Sequence, residues 1–142
     1  MAALRRLAPL LIAVLALAAC GGSGNKSSND QAQIKGAYVK FFSSKSSLAD
    51  RVAVLQDGSR FKSVIQQFAS NPLAQNVSAT VSKVTLHGTN NAAVVYVVKF
   101  GGSSLPQQTG TAVRQNGKWK VGFAGLCKLV GLSGTTPSAC KS

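Results

Sequence analysis

The chain has 142 residues and a one-sided charge, with 16 Lys and Arg against three acidic residues and a single His, for a net charge of +13. This length suits one domain behind a targeting segment, and the few acidic and imidazole groups predict neither a metal site nor a cofactor. The cations are scattered without a dense run, which argues against nucleic acid as a partner and keeps anionic surfaces among the candidates.

Residues 1–19 have the pattern of a bacterial lipoprotein signal peptide, with a charged start, an apolar run over residues 7–17 and small residues before Cys20. The Cys20 thiol would receive the lipid, and the net charge of the mature chain would fall to +11 because two arginines are lost. A membrane-spanning helix is the first alternative, although the run is short for one. An ordinary signal peptide cut after Ala19 is the second. We expect lipidation at Cys20 and a membrane anchor on the extracytoplasmic face.

Residues 20–29 are polar and predict a flexible tether, and residues 30–142 predict a single α+β domain. Apolar residues then recur at helical spacing in three segments. The first helix is expected to start at Asp30. The second follows an N-cap at Ser46 or Ser47, and Ser59 is the expected N-cap of the third.

The pattern of period two that begins at Val77 predicts strands, and its phase changes before Val84, which indicates a β-bulge. A hairpin turn expected at residues 90–91 would place Val84 opposite Val97, with both in the core. Residues 92–100 are apolar on both faces, as is typical of a central strand.

The Asn-Gly pair at residues 116–117 predicts a second hairpin, between the third and fourth strands, because both residues tolerate positive φ. The resulting register places Arg114 opposite Trp119, where the guanidinium can stack on the indole. It also places Phe123 opposite Gly110, whose missing side chain would leave room for the ring.

These elements predict three N-terminal helices packed on a curved, four-stranded antiparallel sheet, with a short final helix over residues 126–132. The order resembles the cone-shaped nuclear transport factor 2-like fold, in which bent strands and helices enclose a pocket. If Cys20 carries lipid, Cys127 and Cys140 remain for a structural disulfide that pins the tail. A redox-active pair is the alternative, but redox motifs have Cys-x-x-Cys spacing.

Residues 48–132 resemble the C-terminal domain of the mycobacterial low-molecular-weight antigen family. The matching motifs are Asp50-Arg51 with the sequence LQDG at 55–58, VSATV at 77–81, and NGKWKV at 116–121. The resemblance implies a location in the cell envelope and recognition by the host as an antigen. It brings no catalytic residues.

The register of the first hairpin would place His87 on the same face as Tyr96. Acid or base chemistry would require His87 beside a carboxylate, but all three Asp precede the strands, so a histidine at the surface or at a strand end is expected. We therefore expect a noncatalytic envelope lipoprotein that binds a protein partner or an apolar ligand such as a lipid. A small isomerase or dehydratase is the alternative. A structural adaptor, held at the membrane surface by charge as well as by lipid, is a third interpretation. Candidate pocket or surface residues are Tyr38, His87, Tyr96, Arg114 and Trp119.

Overall fold

The computed structural model describes residues 22–141, so the expected signal peptide and Cys20 lie outside the described residues. In chain order the elements are α1 (Gly22–Phe42), α2 (Leu48–Val54), α3 (Lys62–Ala69), β1 (Val77–His87), β2 (Asn91–Phe100), β3 (Ser103–Ser104), β4 (Gln108–Gln115), β5 (Lys118–Val121) and α4 (Phe123–Gly131). Short 3-10 turns cover Gly58–Phe61, Pro72–Asn76 and Ser138–Cys140. Within this part of the chain, no helix is both long enough and apolar enough to cross a membrane.

Helix α1 begins earlier than the sequence predicted. It starts at Gly22 rather than at Asp30, so the helix includes residues 22–29. Asp30 is buried, whereas the side chains of residues 26–29 stay outside the core. Once packing fixes the helix from Asp30 onward, each preceding residue needs only one more backbone hydrogen bond to extend it.

The predicted N-cap of α2 is confirmed at Ser47, and that of α3 is wrong. The Asp50 N–H donates to Ser47 Oγ at 3.1 Å and the Ser47 N–H donates to Asp50 Oδ2 at 3.3 Å, which makes a reciprocal capping box. Ser59 instead lies inside a 3-10 turn, because Asp57 adopts a left-handed conformation with φ of 51° and redirects the chain before α3 begins.

The sheet is antiparallel, with strand order β1-β2-β4-β5, and the two-residue β3 pairs with the end of β2 as an unpredicted fifth strand. Helix α1 contacts both β1 and β5, the two edges of this order. A helix about 10 Å wide can reach both edges of four strands, which span about 14 Å when flat, if the sheet curls around it. The expected α+β class with a curved antiparallel sheet is confirmed.

The predicted β-bulge is confirmed, but the register of the first hairpin is wrong. Ser82 is skipped between the pairs that Val81 and Lys83 make with β2. Val84 pairs with Val94 rather than with Val97. The loop is longer than a two-residue turn, because Gly88 takes a positive φ of 73° before Asn91 resumes pairing.

The central position of β2, between β1 and β4, is confirmed. Its inward side chains are those of the alternate residues Ala92, Val94, Tyr96 and Val98, all of which are buried. The shifted register therefore turns Val97 to the outer face, where it is half-buried.

The second hairpin turns at Asn116 and Gly117, both with positive φ, and pairs Arg114 with Trp119 as predicted. The pairing expected for Phe123 is wrong, because β5 ends at Val121 and Phe123 already belongs to α4. The space above Gly110 is taken by an aromatic side chain from α1, since a Cβ at this position would lie 2.5 Å from Tyr38 Oη.

A disulfide joins Cys127 in α4 to Cys140 in the tail, as predicted, with the two Cα atoms 5.6 Å apart. Arg60 holds the same tail, because its Nη2 donates to the carbonyl of Ala139 at 2.7 Å. Helix α4 starts three residues before its expected first residue, Leu126. The tail is thus fixed both to α4 and to the turn before α3.

Candidate functional site

An apolar cavity of about 390 Å³ opens between the C-terminal end of α1, helices α3 and α4, and the end of β2. This volume lies in the range of small-molecule sites, roughly 300 to 1,000 Å³. Most lining side chains are aliphatic or aromatic and three are polar: Phe41, Phe42, Val64, Gln67, Phe68, Asn71, Leu73, Phe100, Leu105, Leu126, Leu129, Val130, Leu132 and Ser133.

Two helices line the cavity with matching stripes of side chains. In α3 and the residues after it, Val64 begins a stripe that steps by three and four residues to Asn71. In α4, Leu126 begins an equivalent stripe that ends at Ser133. Val64 and Leu126 are buried, whereas Asn71 and Ser133 are exposed. Each stripe therefore runs from an apolar end inside the cavity to a polar end at its rim.

No lining residue carries an ionisable side chain. The amide groups of Gln67 and Asn71 can hydrogen-bond a polar group at the rim, and the interior can hold hydrocarbon by excluding water. Over residues 22–141, no three His, Cys, Asp or Glu side chains gather in a group able to hold a metal ion.

Tyr38 and Tyr96, two of the predicted site residues, lie in the core and do not line the cavity. Their ring centroids are 4.9 Å apart, and Tyr38 Oη donates to the carbonyl of Thr111 at 2.6 Å. Burial raises the pKa of both phenols. Both rings also approach Phe42, which does line the cavity. The two tyrosines therefore support one wall of the cavity from behind.

Arg114 and Trp119 lie together, as predicted, with the guanidinium carbon 4.9 Å from the indole centroid. Arg114 Nη2 also donates to Asp30 Oδ1 at 2.7 Å, and this ion pair connects the start of the buried part of α1 to β4. The pKa of Asp30 is lowered mainly by the buried indole N–H of Trp119, and the Arg114 guanidinium adds to the effect. This indole N–H makes no hydrogen bond of standard geometry. The cluster positions α1.

The ion pair predicts a pH dependence of stability. Because the pKa of Asp30 is lower in the folded chain than its ordinary value of 3.8, the carboxylate stabilises the fold above that value. This stabilisation is lost as the pH falls through the folded pKa. We expect Asp30→Asn to lower the melting temperature at pH 7 and to change it much less at pH 2. Thermal melts at pH 7 and pH 2 measure the two melting temperatures, with Gln33→Ala, a change at an exposed residue of α1, as the control. An equal decrease in melting temperature at both pH values would contradict the role of the Asp30 carboxylate.

His87 lies apart from the other predicted site residues. It is exposed on the outer face of the sheet and pairs with Asn91, whereas Tyr96 points inward, so the expected shared face is wrong because of the register shift. The three carboxylates bond elsewhere: Asp30 with Arg114, Asp50 with Ser47 and Lys40, and Asp57 with Gln115. The structure therefore does not bring His87 and a carboxylate together by any of these contacts.

Sequence reasoning missed the cavity-lining residues on α3 and α4. One signal was available, since the segment from Leu126 to Leu132 is apolar on more sides than one buried helix face requires. A second becomes visible only in the structure: Leu73 and Leu132 are large apolar side chains that remain 67% and 66% exposed at the rim.

The structure is similar to that of an NTF2-like protein of unknown function from Methylobacillus flagellatus, with a TM-score of 0.51 and 13% identity over 68% of this chain and 86% of that one. An NTF-2 like protein of unknown function from Shewanella oneidensis gives a TM-score of 0.49 and 10% identity over 67% and 93%. The first likeness confirms the expected fold and carries no function.

Comparison with curated proteins finds no match. Residues 28–137 match the family described as low molecular weight antigen MTB12, C-terminal domain. The match covers most of the chain and begins before Leu48, the first residue of the resemblance seen in the sequence. The chain therefore belongs to the family of the low molecular weight antigen MTB12 C-terminal domain.

Proposed function

We propose that the protein is a noncatalytic lipoprotein of the cell envelope whose cavity binds an apolar ligand, most simply the hydrocarbon chain of a lipid. The observation that carries this proposal is the 390 Å³ cavity, because its lining is apolar inside, polar at the rim and without ionisable groups. Such a lining supports binding by burial, and it offers no acid or base to a ligand and no base that would activate the Ser133 hydroxyl.

The energy of burial indicates how long the ligand must be. Each methylene transferred from water contributes about 0.8 kcal/mol, and association costs at least about 4 kcal/mol in lost freedom of motion. A chain of fewer than about five methylenes would gain less than this cost. The proposal therefore favours a long acyl or alkyl chain over a short aliphatic group.

The proposed ligand site is tested by filling the cavity. Leu129 lines it and is only half-buried, so Leu129→Trp should occupy part of the volume without breaking the core. We expect at least tenfold weaker binding of a fluorescently labelled monoacylglycerol, whose uncharged head group avoids general attraction to the basic protein. Fluorescence titration measures the affinity.

Val39→Trp is the matched control, because Val39 is 47% exposed and does not line the cavity. This variant should bind the monoacylglycerol like the wild type, and thermal melts should show both variants folded. Equal affinity in all three proteins, or no binding by the wild type, would contradict the proposed site.

We further propose that lipid on Cys20 holds the mature chain to the outer surface of the cell membrane. The support is the sequence pattern of a charged start, an apolar run and small residues before this cysteine. Cys20→Ser should move the protein from the membrane fraction to the soluble fraction. Immunoblots of fractionated cells measure the distribution, and retention of the serine variant in the membrane pellet would contradict the anchor.

A further inference from the structure

The rim of the cavity carries unpartnered apolar side chains. Three large apolar residues are exposed in the part of the chain that the structure describes, and two of them, Leu73 and Leu132, line the cavity. They follow the ends of α3 and α4, respectively, so they stand beside the polar ends of the two lining stripes. Exposed apolar side chains around a cavity typically mark a surface that meets another apolar phase.

The elements that form the rim carry no negative charge outside α1. Exposed Lys99 and Lys128 belong to β2 and α4, and neither of them lines the cavity, because neighbouring residues of a strand or helix point in different directions. No acidic residue occurs anywhere after Asp57 in the sequence, so the strands and α4 carry cations alone. Exposed apolar side chains on a positively charged protein complement an anionic bilayer, which has negative head groups above a hydrocarbon interior. A second copy of the chain would present the same cations and be repelled.

We propose that Leu73 and Leu132 insert into an anionic bilayer surface and dock the cavity mouth onto it. The opening of the cavity then faces the hydrocarbon, and the positive charge of the strands and α4 favours a surface with negative head groups. Docking gives the proposed lipid ligand a path between bilayer and cavity that avoids water. This last step rests on the proposed function, whereas the docking itself does not.

The test measures vesicle binding by the unlipidated mature chain, residues 20–142 with Cys20→Ser. Sedimentation with vesicles of phosphatidylcholine containing phosphatidylglycerol gives the partition constant. The double variant Leu73→Ser/Leu132→Ser should bind at least tenfold more weakly, and Val39→Ser, which removes the third exposed apolar side chain away from the rim, should bind like the wild type. Vesicles of phosphatidylcholine alone should bind the wild type at least fivefold more weakly, because they carry no negative head groups.

Each outcome has one meaning. Equal binding by the double serine variant and Val39→Ser would show attraction by overall charge through any face and would overturn the inference. Concentration-dependent dimerisation that the two serines abolish, without vesicle binding, would also overturn it and assign the rim to a second copy. Rim-dependent vesicle binding by a protein that binds no monoacylglycerol would keep the docking surface and remove the proposed ligand site. Circular dichroism of each variant establishes that it is folded.

Discussion

Gly58→Ala is expected to cost about 3 kcal/mol of folding free energy or more, which is the upper range for overpacking a tight site. A methyl group at Gly58 would overlap the backbone carbonyl of Val52 and lie 2.7 Å from its carbonyl carbon. This carbonyl belongs to α2, and the Gly58 N–H is itself bound to the carbonyl of Leu55 at 3.0 Å. Relief would require the end of α2 to unwind, because backbone atoms cannot rotate away as a side chain can.

Urea unfolding of Gly58→Ala measures this cost, and Gly36→Ala is the matched control. Gly36 lies inside α1 with no atom near the position of a new Cβ. The control should gain roughly 0.5 to 1 kcal/mol, since alanine favours a helix over glycine by this amount. If the two variants shift the unfolding midpoint equally, the close contact of Gly58 with Val52 does not determine the folding free energy lost on substitution.

Gly58 also shows what the sequence could and could not predict about the fold. Interactions within a few residues were predicted correctly: the capping box at Ser47, the bulge before Val84 and the turn at residues 116–117. Each depends on local backbone chemistry that the residue types reveal. The need for glycine beside Val52 depends on how α2 meets the next turn, and no local pattern at residues 57–58 reveals this contact.

The first hairpin failed for a related reason. Both faces of β2 are apolar, so the hydrophobic pattern could not select which of its residues face Val84. The register was then taken from the turn, and the longer loop through Gly88 shifted it. This error placed His87 on the same face as Tyr96, whereas the structure leaves His87 exposed on the outer face and Tyr96 in the core.

The sequence could not predict the cavity, because its lining residues come from several elements that are far apart in the chain. The stripes that begin at Val64 and Leu126 each look like an ordinary core-facing helix face. Only their arrangement in space shows that they leave a volume unfilled between them. The polar cluster of Arg114 and Trp119 was found because both residues belong to one hairpin, where pairing follows directly from the turn.

Removal of the disulfide is expected to destabilise the fold by roughly 3 kcal/mol, the chain-entropy value for a loop of this length. Cys127 and Cys140 are 13 residues apart, and the double variant Cys127→Ser/Cys140→Ser avoids a free thiol. Urea unfolding with and without reductant measures the effect. The wild type in reductant should match the double variant, and the double variant should not respond to reductant.

The same variant should also bind the labelled monoacylglycerol more weakly, because Cys127 lies between Leu126 and Leu129, which line the cavity. Without the bridge, α4 loses its covalent link to the tail, so more conformations of that wall must be ordered on binding. Unchanged affinity despite lower stability would show that the disulfide does not contribute to ligand binding. A lower affinity for the monoacylglycerol in reductant would make ligand binding dependent on an oxidising compartment. Lipidation at Cys20 would place the protein in such a compartment, outside the cytoplasm.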